Sequence, residues 1–264
     1  MNPMIANKKI IVTGASSGMG ERFVWHIAAN GGIPIMIARS FDKLQAIQLK
    51  IKETFQQDAF IYQADLLKTE QVEAVFTQIL AEHVLIDALI NNAGLGKFAP
   101  VQQMEWADVS QMFGLNVFAS MRSIQYMLPH FAQNHTGHII NIASQAGKIA
   151  TPKSAAYTAS KHALLGFTNV LRQEAKALGV RVTAVNVGPA RTRFFDIADP
   201  EGSYVRSVER YMLDPDMVAK KVVGALFTNK REVNLPWWME LGSKLYQLIP
   251  GIMEIVLKQQ FHKK

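Results

Sequence analysis

A chain of 264 residues, 49% hydrophobic and 19% charged, can bury a sizeable core and does not have the composition of a disordered segment. Without cysteine it has neither a disulfide framework nor a thiolate metal site, which fits a reducing cytoplasm. The net charge of +7 is spread along the chain with no long basic run, the pattern of a solvated surface and not of a nucleic-acid binder.

The first apolar run, Ile10-Ile11-Val12, is too short for a signal peptide and is broken by Thr13-Gly14. It reads as a strand, Lys9–Thr13, followed by a helix over Gly18–Asn30. Between them runs Gly14-Ala15-Ser16-Ser17-Gly18-Met19-Gly20, spaced G-x-x-x-G-x-G. Glycines there permit a tight turn and close backbone approach, and the helix start points its positive end at an anion. The spacing is not the G-x-G-x-x-G of many dinucleotide folds, so a nucleotide-phosphate cradle and a ligand-free glycine turn are both open readings.

The second strand, Ile33–Ala38, runs into Arg39 and has no acid at its end. A carboxylate there would accept from the hydroxyls of an adenosine ribose, whereas a guanidinium favours a 2′-phosphate by about tenfold to a hundredfold. The alternative is an arginine that merely caps a strand. Helices follow over Lys43–Gln56, Lys68–Glu82, Glu105–Phe131, Ser154–Leu178 and Asp214–Phe227. They alternate with strands at Ala59–Ala64, Ile86–Asn91, Gly137–Ala143, Val180–Val187 and Arg231–Leu235. Such alternation with near-continuously apolar strands predicts an α/β fold: one doubly wound, mostly parallel seven-stranded sheet with helices on both faces. Ligands then bind beyond the carboxyl ends of the strands. No linker divides the chain, so residues 1–264 are expected to form a single domain.

Two stretches depart from the rhythm. Gly188–Leu213 is a long connection carrying Phe194, Phe195 and Tyr204, of the kind that forms functional lids. Pro236–Lys264 carries Trp237, Trp238, Leu241, Leu245, Leu248, Ile249, Ile252, Met253 and Val256 and has a basic end, with Pro250-Gly251 set to interrupt any helix. An apolar stripe at helical spacing is usually core or subunit interface, and that is the reading taken. A substrate lid and an interfacial membrane helix are the others. No apolar stretch approaches the roughly 20 residues of a membrane span.

Tyr157 and Lys161 are four residues apart in a helical pattern, hence on one face. A tyrosine titrates near pH 10, and an ammonium at about 4 Å supplies the ~4 kcal/mol needed to bring it near neutrality at an effective dielectric of about 20. Ser144, just past the fifth strand, is placed to hold a substrate oxygen near Tyr157. Together with the glycine turn, these groups suggest hydride exchange between a nicotinamide cofactor and a carbonyl or alcohol, with no metal.

On these residues the chain resembles the short-chain dehydrogenase/reductase family, from about Lys8 to Leu235. The family's motifs occur in order: Thr13–Gly20, Asp65 after the third strand, Asn91-Asn92-Ala93-Gly94, Ser144, and Tyr157 with Lys161. The resemblance implies a Rossmann-like fold and an NAD(P)-dependent oxidoreductase. Tyr157 would be the general acid in reduction, Lys161 would lower its pKa and bind the nicotinamide ribose, and Ser144 would orient the carbonyl. Asn116 would hold a water in a proton relay. The cofactor would lie against Gly14, Ser16, Ser17, Gly18, Met19, Gly20 and Arg39, with Asp65 and Leu66 at the adenine. Asn92, Ala93 and Gly94 would line the cleft, and Pro189 and Thr192 would meet the carboxamide. One departure stands out: where the family often has Pro-Gly after the sixth strand, this chain has Val187-Gly188-Pro189.

NADP is the expected cofactor, and an apolar carbonyl or alcohol the expected substrate, given Phe98, Phe194, Phe195 and the tail tryptophans. Lys148 is placed to meet an anionic group. A homodimer or homotetramer is expected, as in many family members. His130, His135 and His138 read as solvated or capping histidines and not as metal ligands. The competing reading is a nucleotide-binding regulator or scaffold on the same fold. A narrower enzymatic one is an acyl-carrier-linked 3-oxoacyl reductase.

Overall fold

The computed structural model describes the backbone of residues 2–261 and the side chains of residues 2–255. The last residues of the expected basic tail, 262–264, lie outside it. Strands β1 (Lys9–Thr13), β2 (Ile33–Ala38), β3 (Phe60–Gln63), β4 (Ala88–Asn91), β5 (His138–Ile142), β6 (Arg181–Val187) and β7 (Glu232–Leu235) form one seven-stranded sheet. Every pairing is parallel, and the order is β3-β2-β1-β4-β5-β6-β7. The order reverses between β1 and β4, which opens a crevice at their carboxyl ends.

The helices are α1 (Gly18–Ala29), α2 (Phe41–Phe55), α3 (Thr69–Glu82), α4 (Trp106–Phe113), α5 (Ala119–Gln133), α6 (Ala155–Lys176), α7 (Phe194–Ala198), α8 (Ser203–Val208), α9 (Pro215–Val223), α10 (Trp237–Leu248) and α11 (Pro250–Phe261). Alternate strand residues face opposite layers, as the pleat requires. Ile10 and Val12 join Phe23, Ile27, Val218 and Val222 on one side of the sheet. Ile11 and Leu89 join Phe76, Ile124, Met127 and Leu171 on the other. Both faces of the strands are therefore apolar, which is why they read as continuous hydrophobic runs.

Three expectations change. The helix read over Glu105–Phe131 is divided by a π turn at Gly114–Phe118, which separates α4 from α5. An inserted turn of this kind shifts the helix phase without breaking the apolar periodicity, so the sequence pattern runs through it. The connection Gly188–Leu213 folds into α7, α8 and a short 3-10 turn, and a parallel bridge between Ala190 and Leu213 closes its base. His138 is neither solvated nor a cap. It is fully buried in β5, its Nδ1 accepting from the Phe227 amide at 2.8 Å and its Nε2 lying 2.9 Å from Thr183 Oγ1. Burial pushes its imidazole down to about 3.

Candidate active site

The carboxyl ends of β1 and β4 are pinned together by Thr13. Its hydroxyl donates to Ile90 O and accepts from the amides of Asn92 (2.9 Å) and Ala93 (3.0 Å). Asn92 returns the brace, donating to Thr13 O at 2.9 Å and Gly14 O at 3.3 Å. Gly14 and Gly18 adopt φ of +66° and +60°, which glycine accepts without strain. Gly20 enters α1 so close to Gly14 O that any Cβ would overlap it, and would also stand 2.6 Å from Asn92 Nδ2. Ser17 at the start of α1 makes no side-chain cap, so the first-turn amides keep their donors for an anion.

The other expected cofactor residues lie along the same carboxyl edge. Arg39 follows β2 and is exposed, with no ion pair or hydrogen bond of its guanidinium among the described residues; its carbonyl accepts from Gln63. Asp65, past β3, shapes its own turn: its carboxylate accepts from the Leu67 amide at 3.1 Å and its amide donates to Gln71 Oε1 at 2.7 Å. Leu66 is buried beside it. Thr192 crosses the cleft, its Cβ lying 3.7 Å from the point where a side chain on Gly18 would begin. The Val187-Gly188-Pro189 departure leaves the loop anchored, since Pro189 O accepts from the Leu213 amide at 2.8 Å.

The second cluster sits where β5, β6 and α6 converge. Ser144 opens a 3-10 turn, its hydroxyl accepting from the Ala146 amide at 3.0 Å and donating to Val187 O at 3.3 Å. The Tyr157 phenol lies beside the same hydroxyl. Burial pushes Tyr157 up to about 12, with the Ser144 contact pulling the other way. Lys161 is buried, donates to Ile142 O at 2.9 Å, and stands 5.8 Å from the centre of the Tyr157 ring. Burial draws its ammonium down to about 8. Burial thus dominates both groups, raising the tyrosine and lowering the lysine.

Asn116, on the π turn, is buried and spends its side chain on protein groups. It accepts from the Leu95 amide, donates to Leu95 O (both 2.9 Å) and donates to Ser160 Oγ at 3.0 Å. Ser160 in turn donates to Tyr157 O at 2.7 Å. The side chain of Asn116 therefore acts as a clamp between the loop after β4, at Leu95, and the start of α6. Gly94 lies between them; a Cβ there would stand 3.0 Å from Asn116 Oδ1 and 3.7 Å from Lys161 Nζ.

Above Tyr157 is an aromatic wall. Phe194 and Phe98 approach its ring at 5.5 and 6.0 Å between centroids, and Tyr204 stands 5.2 Å from Phe98. Gly96 makes room for this, since a Cβ there would stand 2.5 Å from Phe194 Cζ. A cavity of about 620 Å³ lies elsewhere, between the start of α6 and the C-terminal helices, lined by Lys153, Thr158, Tyr246 and Ile255.

Sequence reasoning placed the glycine turn and the Ser144–Tyr157–Lys161 set but missed the residues that hold them. Thr13 acts on the main chain of Ile90, Asn92 and Ala93, Gly96 leaves room for the Phe194 ring, and Ser160 joins Asn116 to Tyr157 O, roles that no local spacing marks. Lys148 is a correction. It meets no outside anion but pairs within the protein, its Nζ 2.6 Å from both Glu232 and Glu240 and 3.3 Å from Asn234. His130 accepts from the Ile86 amide at 3.1 Å, and no cluster of three potential ligands that could hold a metal occurs among the described residues.

Comparison with known proteins agrees with this geometry. The short chain dehydrogenase family matches residues 8–201. An uncharacterized oxidoreductase of Staphylococcus saprophyticus is 32% identical over 222 residues, covering 83% of this chain and 89% of that one. Dehydrogenase/reductase SDR family member 7B of Danio rerio is 30% identical over 240 residues, covering 88% and 78%. Among solved structures, a short-chain dehydrogenase from Sphingobium yanoikuyae in complex with NADPH superposes with a TM-score of 0.81 at 25% identity, over 92% of this chain and 95% of that one. A metagenomic short-chain oxidoreductase in complex with NADP gives 0.74 at 29% identity, over 88% and 98%. This chain belongs to the short chain dehydrogenase family and is an oxidoreductase.

Proposed function

We propose that the protein reduces apolar ketones or aldehydes with NADPH, or oxidises the matching alcohols, with Tyr157 as the acid or base. The observation that carries this reading is the Tyr157 phenol with Ser144 beside it, backed by Lys161 and faced by Phe98 and Phe194. The cleft suits a dinucleotide: uncapped amides at the start of α1, glycines whose Cβ atoms would fill the crevice, and an unpaired Arg39 where a 2′-phosphate would fall. When bound there, the cofactor supplies or takes up the hydride.

The chain's own groups manage the proton. Tyr157, at about 12, stays protonated through the neutral range and is a loaded donor for a carbonyl oxygen. Ser144 shares that spot and gives the oxygen a second partner. Lys161, fixed on Ile142 O, puts positive charge behind the ring and steadies the phenolate left after transfer. The aromatic wall excludes water and sets an apolar preference. That NADPH and NADP occupy the Sphingobium and metagenomic relatives supports the choice of cofactor. Exposed Trp106 and Phe118, beside an apolar hollow between α4 and α6, support self-association through that face.

The test is oxidation of NADPH and NADH against ketones and aldehydes graded in chain length and ring size. Turnover with NADPH that rises with apolar bulk is expected. Cofactor binding with no turnover on any carbonyl would overturn the enzymatic reading in favour of a regulator.

A further inference from the structure

The turn that carries Ser144 is short and is gripped from several sides. Ser144 O accepts from the Gly147 amide and Gln145 O from the Lys148 amide, both at 2.9 Å. One side presses on α6, where a Cβ on Gly147 would stand 2.9 Å from Lys161 O. On the other, Gln145 donates to Asn186 O at 3.2 Å, one residue before the Val187 carbonyl that takes the Ser144 hydroxyl. The turn closes at Lys148, whose ammonium meets Glu232 of β7 and Glu240 of α10 at 2.6 Å each.

Glu232 is the point at which these contacts join. It also accepts from Asn186 Nδ2 at 3.2 Å and from Asn234 Nδ2 at 3.3 Å. One carboxylate thus holds the turn through Lys148 and the end of β6 through Asn186. Burial opposes its charge, yet the Lys148 ammonium keeps its carboxyl below the ordinary range. Glu240 brings a second carboxylate to the same ammonium. Its other oxygen lies 3.5 Å from Lys244, an exposed cation that adds little. Without Lys148, two largely covered carboxylates would be left to repel each other. The ammonium is therefore what lets β7, α10 and the turn converge. The network closes on both supports of the Ser144 hydroxyl, its own turn and the end of β6, and not on α10 alone.

We propose that Lys148, Glu232 and Glu240 are positioning residues that aim the Ser144 hydroxyl, which makes α10 a working part of the active site. This rests on the reading of Ser144 as the second partner of a substrate oxygen at Tyr157. The test measures kcat and KM for carbonyl reduction and NADPH affinity by fluorescence titration, in the full chain and in Lys148→Met, Glu240→Gln and Ser144→Ala. Lys148→Met should lower kcat/KM for the carbonyl by about tenfold to a hundredfold, with NADPH affinity close to the parent's. Glu240→Gln leaves Lys148 its pair with Glu232 and should lose less, in the same direction; it carries the test if Lys148→Met melts below the assay temperature. Because the loss acts through Ser144, neither change should cost anything further in the Ser144→Ala background. Since the Ser144 contact draws Tyr157 down, the alkaline limb of alcohol oxidation should also move to higher pH in Lys148→Met. An active parent whose Lys148 and Ser144 losses simply multiply, or a Lys148→Met with parental kcat/KM, would overturn the positioning role alone. A parent that binds NADPH but turns over no carbonyl would overturn the reduction reading, and this role with it.

Discussion

Arg39 and His138 show how one side chain's setting decides what it does. Arg39 follows β2 with no ion pair or hydrogen bond of its guanidinium among the described residues, where the proposed function sets a 2′-phosphate. Arg39→Ala should weaken NADPH binding by about tenfold to a hundredfold and leave NADH nearly untouched; equal losses for both cofactors in fluorescence titrations would contradict that assignment. His138 is held neutral by burial, near 3 against an ordinary 6.5. As pH falls, the unfolded chain takes up this proton first, so the contribution is complete above about 6.5 and lost toward 3, about 5 kcal/mol in all. Its ring resonances should remain those of a neutral imidazole at pH 5, whereas a titration midpoint near 6.5 would contradict the burial argument. The sequence marked Arg39 by its place after an apolar strand. It gave no sign of His138's burial, because the covering Phe227 comes from 89 residues away.

Among the elements, strands and helices were legible where the apolar period was clean. β1 and β2 have the bounds their sequence suggests, Lys9–Thr13 and Ile33–Ala38. The π turn at Gly114–Phe118 was not legible, because an inserted turn leaves the apolar spacing almost intact. Yet this turn presents Asn116 to both Leu95 main-chain groups and Ser160. Asn116→Ala would leave the half-buried Leu95 groups without these partners, a loss of about 1 kcal/mol, and would loosen the start of α6. Thermal melting should show the destabilisation and kcat should fall, with NADPH affinity close to the parent's. A variant with parental melting and kcat would show the clamp to be dispensable. Lys148 is a parallel case: a cation beside the Ser144 turn suggests a ligand contact, but Glu232 and Glu240 arrive from distant elements and take it first.

For the whole molecule, alternation of strand and helix carried the fold, and the spacing of Gly14, Gly18 and Gly20 with Tyr157 and Lys161 carried the family. Both signals are periodic or local, so a single sequence reveals them. The aromatic wall was visible only as composition. That Phe194 reaches Tyr157 depends on Gly96 and on the loop closed at Ala190 and Leu213, which no pattern in the sequence records. The C-terminal helices were legible as an apolar stripe with a break at Pro250, but not as an outward-facing one clamped to the catalytic turn through Lys148.

The central claim is that Tyr157 passes the proton in a site otherwise complete for cofactor binding. The direct measurement is NADPH affinity and steady-state carbonyl reduction for Tyr157→Phe beside the parent. The account predicts nearly unchanged affinity and a fall in kcat of about 10²–10⁴. Parental turnover in the variant would contradict it.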